Sequence, residues 1–431
     1  MIRETQARRT LFAMVISMLL GYMPWYNFSA VSKYIIEEFN LTSQDTGLIL
    51  SCFQAGYVVI VVFSGWLGDK IGLKRIVFWA TLSTGIFSTL FVWGACSKIS
   101  IMIFRLLTGL SAGAIYVPGI ALLSRWFPPQ RRGGVLGLYT AALVAAYAGG
   151  YFVAAPIAGI YGWRTGILWT SLPAFIGALI VSLFVSEAPT PEESAFTIQI
   201  KSQMVSCNNN TTVSAKLPRN IMGPLLISLG YMGHMWEQYA FWGWIGPFMT
   251  AVAVSSGMKP DRAATWAGIV AACIILLGAP ASWIWGVVSD RIGRIRAIAL
   301  AACFSLVAEF GLGYIYTYKI GFVIVVAAWI GFWVVADSAL YKAGLTEMVS
   351  PKTCGLCLGF QSAVGYFTTI IAPLAFGAIL QAYNGLVSPV YATFWGPSFA
   401  ILGLGGLLVP ISLFLLKRQA QAKLMAGGRN N

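Results

Sequence analysis

Long apolar runs alternate along this chain with short segments rich in charge, proline and glycine. Twelve runs stand out, near residues 10–32, 46–68, 76–95, 100–122, 134–160, 164–185, 221–251, 263–288, 297–317, 320–341, 355–380 and 391–416. A helix that crosses the hydrocarbon layer needs about 20 apolar residues, which these runs supply, whereas a buried strand ends after about eight. The pattern predicts an all-α membrane protein with twelve spanning helices and short connections. The first run follows a basic N-terminus, but it is long and no Ala-x-Ala-like cleavage site closes it. It reads as an uncleaved first helix.

Composition narrows the class. Of 431 residues, 58% are hydrophobic and only 10% charged, against about a quarter charged in a soluble domain, and the mean hydropathy is +0.77. These values exclude a soluble enzyme, a disordered chain, a coiled coil and collagen. No Walker loop, H-E-x-x-H motif or hydrolase elbow is present, so neither ATP use nor catalysis is expected, and no cofactor or metal. Seven cysteines, an odd number, argue against a disulfide framework.

The net charge of +14 would in a soluble protein point to nucleic acid. Its placement gives another meaning. An even number of spans puts both termini on one side and sorts the loops into two sets. The set holding the termini carries 21 of the 28 Lys and Arg residues, the other set six, and Arg105 lies inside a span. By the positive-inside bias both termini are expected in the cytoplasm, with the protein in a plasma membrane, or the inner membrane of a bacterium. The partner of this charge is the lipid bilayer and not nucleic acid.

The longest connection, about 186–220, divides the chain into 1–185 and 221–431, six spans each. Gly65, Asp69 and Gly72, after span two, recur as Gly286, Asp290 and Gly293 after span eight; Pro129, Gly133 and Gly137 recur as Pro351, Gly355 and Gly359. Two echoes in nearly one register indicate an internal duplication. The stretch Gly65-Trp66-Leu67-Gly68-Asp69-Lys70-Ile71-Gly72-Leu73-Lys74-Arg75 resembles the signature of the major facilitator superfamily, G-x-x-x-D-[RK]-x-G-[RK]-[RK]. Its copy at 286–296, the twelve spans and the Arg105-x-x-x-Gly109 pattern in span four extend the resemblance over the whole chain. The family's fold would be two six-helix bundles related by a pseudo-two-fold axis, working by alternating access as a secondary transporter.

By the same resemblance Gly65, Asp69, Lys70, Gly72, Lys74 and Arg75, with Asp290, Arg291 and Gly293 in the copy, form a gate that favours the outward-open state. Physically, Gly72 and Gly293 permit a tight turn, and each aspartate can accept from backbone N–H groups at a neighbouring helix N-terminus. The plain alternative is basic topology with glycine turns. The spacings Gly109/Gly113, Gly133/Gly137 and Gly355/Gly359 permit close helix approach.

Charges inside spans are costly and mark function. Arg105, Glu237, Glu309 and Asp337 are the clear cases. The resemblance places spans one, four, seven and ten around a central cavity, which makes Arg105, Glu237 and Asp337 cavity candidates and Glu309, in span nine, a packing residue. Arg105 suits an anionic group on a substrate. His234 and Glu237, three apart on one helical face of span seven, can exchange a proton and form the candidate coupling site. Tyr22, Trp25, Tyr26 and Asn27 around Pro24, and Trp329, Trp333, Asp337 and Tyr341 at four-residue spacing in span ten, read as substrate-binding stripes.

The reading is a proton-coupled secondary transporter, a monomer, for a small organic or inorganic anion. The alternatives are a multidrug/proton antiporter, favoured by the aromatic content, and an iron or metal-chelate permease. Ala155-Pro156-Ile157-Ala158-Gly159-Ile160 only approximates the antiporter motif G-P-x-x-G-G in span five, and a single histidine makes a poor set of ligands for a bare metal ion. A sensor would carry a long signalling tail, and about fifteen residues follow span twelve.

Overall fold

The computed structural model describes residues 2–127, 129–187, 221–349 and 354–428, so most of the central connection, 188–220, lies outside the described residues. Six helical spans precede that connection and six follow it. Span one joins Ile2–Gly21, a short turn Met23–Trp25 and Asn27–Phe39. Spans two to six are Ser43–Ile71, Leu73–Gly94, Lys98–Trp126, Pro129–Tyr161 and Trp163–Phe184. Span seven is Met222–Ser255, span eight Pro260–Leu276 with Gly278–Ile292, and span nine Arg294–Leu312. Span ten is Ile320–Ala336 with Ser338–Met348, span eleven Cys354–Asn384, and span twelve Gly396–Gly406 with Leu408–Lys417. No strand occurs among the described residues.

Local chemistry sets the starts and breaks. Spans two and four each open with a capping box, Thr42 with Asp45 and Ser97 with Ser100, which satisfies N–H groups that a helix start leaves orphaned. Lys98 reaches Asp45 at 3.0 Å and ties the two starts together. The predicted loops 65–75 and 286–296 are instead almost wholly helical: a single glycine makes each connection, Gly72 at φ 98° and Gly293 at φ 93°. Span one breaks at Pro24, which cannot donate to a helix ladder. The breaks at Leu277 and Leu407 fall three residues before Pro280 and Pro410. The break at Asp337 has no proline.

Eleven of these segments are long and apolar enough to cross a membrane. Span seven falls short on composition, through its Tyr, Trp, Gly, His, Glu and Gln content. It is also the most enclosed, with every residue from Glu237 to Ala253 buried.

Within the first half, span two packs along span four, where a Cβ added at Gly56 would strike the carbonyl of Leu106 and one at Gly109 that of Phe53. The halves meet along spans two and eleven and along spans five and eight. Away from the termini this seam is tight. Lys33 pairs with Asp261 at 2.6 Å, the backbone N–H of Gln44 donates to Gln381, and Tyr151 Oη donates to the carbonyl of Trp242 at 2.8 Å. Toward the termini Gly134, Gly137, Gly286 and Gly359 have no neighbour within 4 Å of where a Cβ would stand. The close approach expected at Gly137 and Gly359 is therefore absent in this conformation.

Candidate functional site

The break at Pro24 leaves two carbonyls pointing out of span one with no helical donor. Arg105 occupies them: Nη1 donates to the carbonyl of Pro24 at 3.0 Å and Nη2 to that of Trp25 at 2.7 Å, with a longer contact to Asn27 Oδ1 at 3.4 Å. Asn27 is held in turn by Thr170 at 3.1 Å. The guanidinium lies 4.4 Å above the Phe53 ring, and Arg105 is 4% exposed. No carboxylate pairs with it; among the salt bridges between described residues Arg105 does not appear. Its charge is offset by carbonyl dipoles and aromatic faces alone.

Beside Arg105 a small cavity opens between the halves, lined by Trp25, Tyr26, Phe53 and Gln54 from one and by Tyr239, Gly243 and Pro373 from the other. Trp25 is its hub, with ring centroids of Phe53, Tyr57 and Tyr147 within 4.8, 4.6 and 5.0 Å. Tyr57 and Tyr366 meet across the seam at 3.3 Å, and Thr369 donates to Gln54. Arg105, Trp25, Tyr26 and Asn27 thus come together as grouped from the sequence, while Tyr22 turns to the carbonyl of Ala112. Gln54, Tyr57, Tyr147 and Tyr366 escaped sequence reasoning, because single polar and aromatic residues in apolar runs look like ordinary packing until the helices assemble.

A second cluster joins spans seven and ten. His234 Nδ1 stands 3.0 Å from Asp337 Oδ1, and Tyr341 donates to Asp337 Oδ2 at 2.8 Å. On the other side of the ring His234 Nε2 lies 2.7 Å from Ser338 Oγ, which is also 3.1 Å from Gln238 Oε1. The serine has one hydroxyl proton for these two neighbours. Turned toward His234, it fits a neutral ring that donates only to Asp337. Turned toward Gln238, it can only accept from Nε2, which must then carry a proton.

Glu237 does not join this cluster, although it sits one turn away. It faces spans nine and twelve, accepts from Ser305 at 3.2 Å, and has the Glu309 carboxyl within hydrogen-bonding reach. Gly406 of span twelve closes over it, since a Cβ there would lie 2.6 Å from Glu237 Cδ. Glu309, expected as a packing residue, is fully buried and both its oxygens lack a donor. Two carboxyls so placed repel each other when both are ionised, and a proton on one would supply the donor the other lacks.

Trp329 and Trp333 do not line this region. Trp333 packs on Trp285 and Phe304, and Trp329 is 45% exposed and donates to the carbonyl of Phe304. They lie against spans eight and nine, because the break at Asp337 ends the four-residue register that linked them to Tyr341.

At the glycine turns, Gly65 and Asp69 lie outside the residues whose side chains are described. Among the described side chains, Glu187 accepts at the start of span three, taking the N–H of Leu73 at 3.1 Å, and Lys74 Nζ donates to the carbonyl of Ser182. In the copy, Asp290 pairs with Arg294 at 2.7 Å, and Arg294 reaches Glu347 in span ten at 3.2 Å. Lys70 and Arg291 are exposed.

Residues 14–341 match the family described as Major Facilitator Superfamily. The chain is 23% identical over 417 residues to the hexuronate transporter of Bacillus subtilis, covering 93% of this chain and 91% of that protein. It is 21% identical over 420 residues to a protein of Cupriavidus necator named a probable sulfoacetate transporter, covering 93% and 92%. Among solved structures, a bacterial homolog of the human lysosomal transporter Spinster, in an inward-facing and occupied conformation, superposes with a TM-score of 0.75 at 16% identity, covering 95% and 96% of the two chains. The chain belongs to the Major Facilitator Superfamily, and it is a multi-pass membrane protein and a secondary transporter, not an enzyme.

Proposed function

We propose that this protein is a proton-coupled transporter of a small organic anion. The observation that carries the reading is Arg105: a buried permanent cation with no carboxylate partner, beside a cavity shared by both halves. Such a cation attracts an anion strongly in a low-dielectric site. The named relatives of hexuronate and sulfoacetate transport support an anionic cargo. Among the described residues no group of three His, Cys, Asp or Glu side chains could hold a metal ion, so a bare metal ion has no candidate site there.

Coupling is assigned to His234 with Asp337 and to Glu237 with Glu309, two buried places where one proton changes the hydrogen-bond pattern. The basic loops orient the termini to the cytoplasm of a plasma membrane. In that frame the tight seam lies outside, and the conformation is closed outward. The glycine turns with Asp69 and Asp290 are the gate elements that must rearrange when the seam opens.

The test is uptake by the purified protein in liposomes. An imposed pH gradient should drive accumulation of an organic anion above its outside concentration, and Arg105→Gln should remove both uptake and exchange. Uptake that ignores the pH gradient would remove the coupling; a normal rate in Arg105→Gln would remove the anion site.

A further inference from the structure

The cavity beside Arg105 has a chemical bias that narrows the anion, an inference that rests on the transport reading above. Five buried polar groups in and around the aromatic cage make no well-formed hydrogen bond: Nε of Arg105, the indole N–H groups of Trp25 and Trp242, and the hydroxyls of Tyr26 and Tyr147; Arg105, Trp25 and Tyr26 line the cavity itself, and the Tyr26 hydroxyl has only the Trp25 indole near it, as Tyr147 has Tyr239. Every one of them can donate. Buried polar groups are almost always paired, and the space beside these holds about one water molecule, too few to satisfy five. They fit a ligand rich in acceptors.

Charge sets a further limit. The lining contains one cation and no acid, and both terminal nitrogens of that cation are held by backbone carbonyls. Nε and the second N–H of Nη2 are left for the ligand. A second carboxylate on the same molecule would lie among rings and Pro373 with no cation to meet it, a buried unpaired charge. A polyhydroxy acid would need acceptors for each of its own hydroxyls, and the lining offers few: the Tyr26 and Tyr239 oxygens and the Gln54 carbonyl, one of whose two lone pairs already accepts from Thr369. Shape sets the last limit: four of the lining residues are aromatic, Trp25, Tyr26, Phe53 and Tyr239, and Trp25 and Tyr239 touch across the seam between the halves, their ring centroids 6.0 Å apart and their planes tilted by 48°. A flat body that parts them lies face-on against one of these rings and meets the others at an angle.

We propose that the cargo is a planar monoanion, an aromatic or otherwise unsaturated monocarboxylate, whose carboxylate takes the free donors around Arg105 and whose body lies against the aromatic wall of Trp25, Phe53 and Tyr239.

The test is calorimetric binding to the full-length purified protein, with benzoate, cyclohexanecarboxylate, D-galactonate, cis,cis-muconate and nitrate as probes, followed by liposome uptake of each binder. Benzoate should bind best. Cyclohexanecarboxylate, with the same charge and ring size but no flat face, should bind about tenfold more weakly, a comparison that needs no variant. Trp25→Leu should erase that difference. Equal binding of the two ring acids, or nitrate binding as tightly as benzoate, overturns the planar body. Preference for muconate or galactonate overturns the monoanion or the lack of hydroxyls, and leaves anion transport standing. Binding and uptake of none of the five overturns both readings.

Discussion

His234 Nδ1 and Asp337 Oδ1 face each other at 3.0 Å between spans seven and ten, and both residues are buried. The contact joins one long unbroken helix to the point where another breaks. Asp337 also receives the Tyr341 hydroxyl, so both its oxygens are engaged, and the pair holds span ten at its weakest place.

Asp337→Asn keeps a hydrogen-bonding group but removes the charge. In liposomes it is expected to abolish accumulation driven by a pH gradient while counterflow exchange continues. Asp337→Ala should in addition lower stability by about 3–5 kcal/mol, the cost of breaking a buried pair, read as a drop in melting temperature in detergent. Normal accumulation by Asp337→Asn would rule this pair out of coupling.

Glu237 and Glu309 should behave as a unit. Glu237→Gln and Glu309→Gln each replace the shared proton by an amide donor, so both are expected to fold, to retain counterflow and to lose accumulation, and the double variant should be no worse than either single. Effects on accumulation that simply multiply would show that the two carboxyls act independently.

Lys33 is 7% exposed and bridges Glu37 at 2.8 Å and Asp261 at 2.6 Å, the latter across the halves. Lys33→Met should weaken the closed outer end by about 1 kcal/mol, since Glu37 is 40% and Asp261 71% exposed. Spin-label distances between the outer ends of spans one and eight should then contain a longer component, about fivefold more populated than in the parent. An unchanged distribution would mean that the apolar seam alone sets the closure.

Gly293 connects spans eight and nine at φ 93°, ψ 150°, a region in which side chains are strained. Gly293→Ala should cost about 1–3 kcal/mol and lower the melting temperature, whereas Gly286→Ala, with open space around it, should be neutral or slightly stabilising. Equal effects at the two positions would contradict the turn geometry.

The spans were legible because a membrane helix carries its signal in its own composition. The sequence groups Tyr22, Trp25, Tyr26 and Asn27 around Pro24, but its apolar pattern makes span one a single continuous run, so the break there and the carbonyls it turns to Arg105 were not foreseen. Nor were pairings between spans. His234 and Glu237 are about 60° apart around the helix, which on a half-exposed helix means one face; span seven is enclosed on all sides, and that angle is enough to give them different neighbours. Glu309 looked like packing because its partner lies 72 positions away in sequence. Trp329 and Trp333 were misplaced because their regular spacing with Asp337 assumed a continuous helix.

Span seven is too polar to meet the length-and-composition standard of the other eleven, and its outer part is wrapped by protein on every side. A segment of that kind gains little from lipid and much from its neighbours. Its residence in the bilayer therefore depends on spans eight, eleven and twelve, which pack against it. During synthesis it emerges before all of them. Insertion of the second half becomes a collective event, in which the helix richest in chemistry is secured last, and a substitution in span eleven or twelve that touches no cargo can still cost the cell its transporter by leaving span seven without a place to settle.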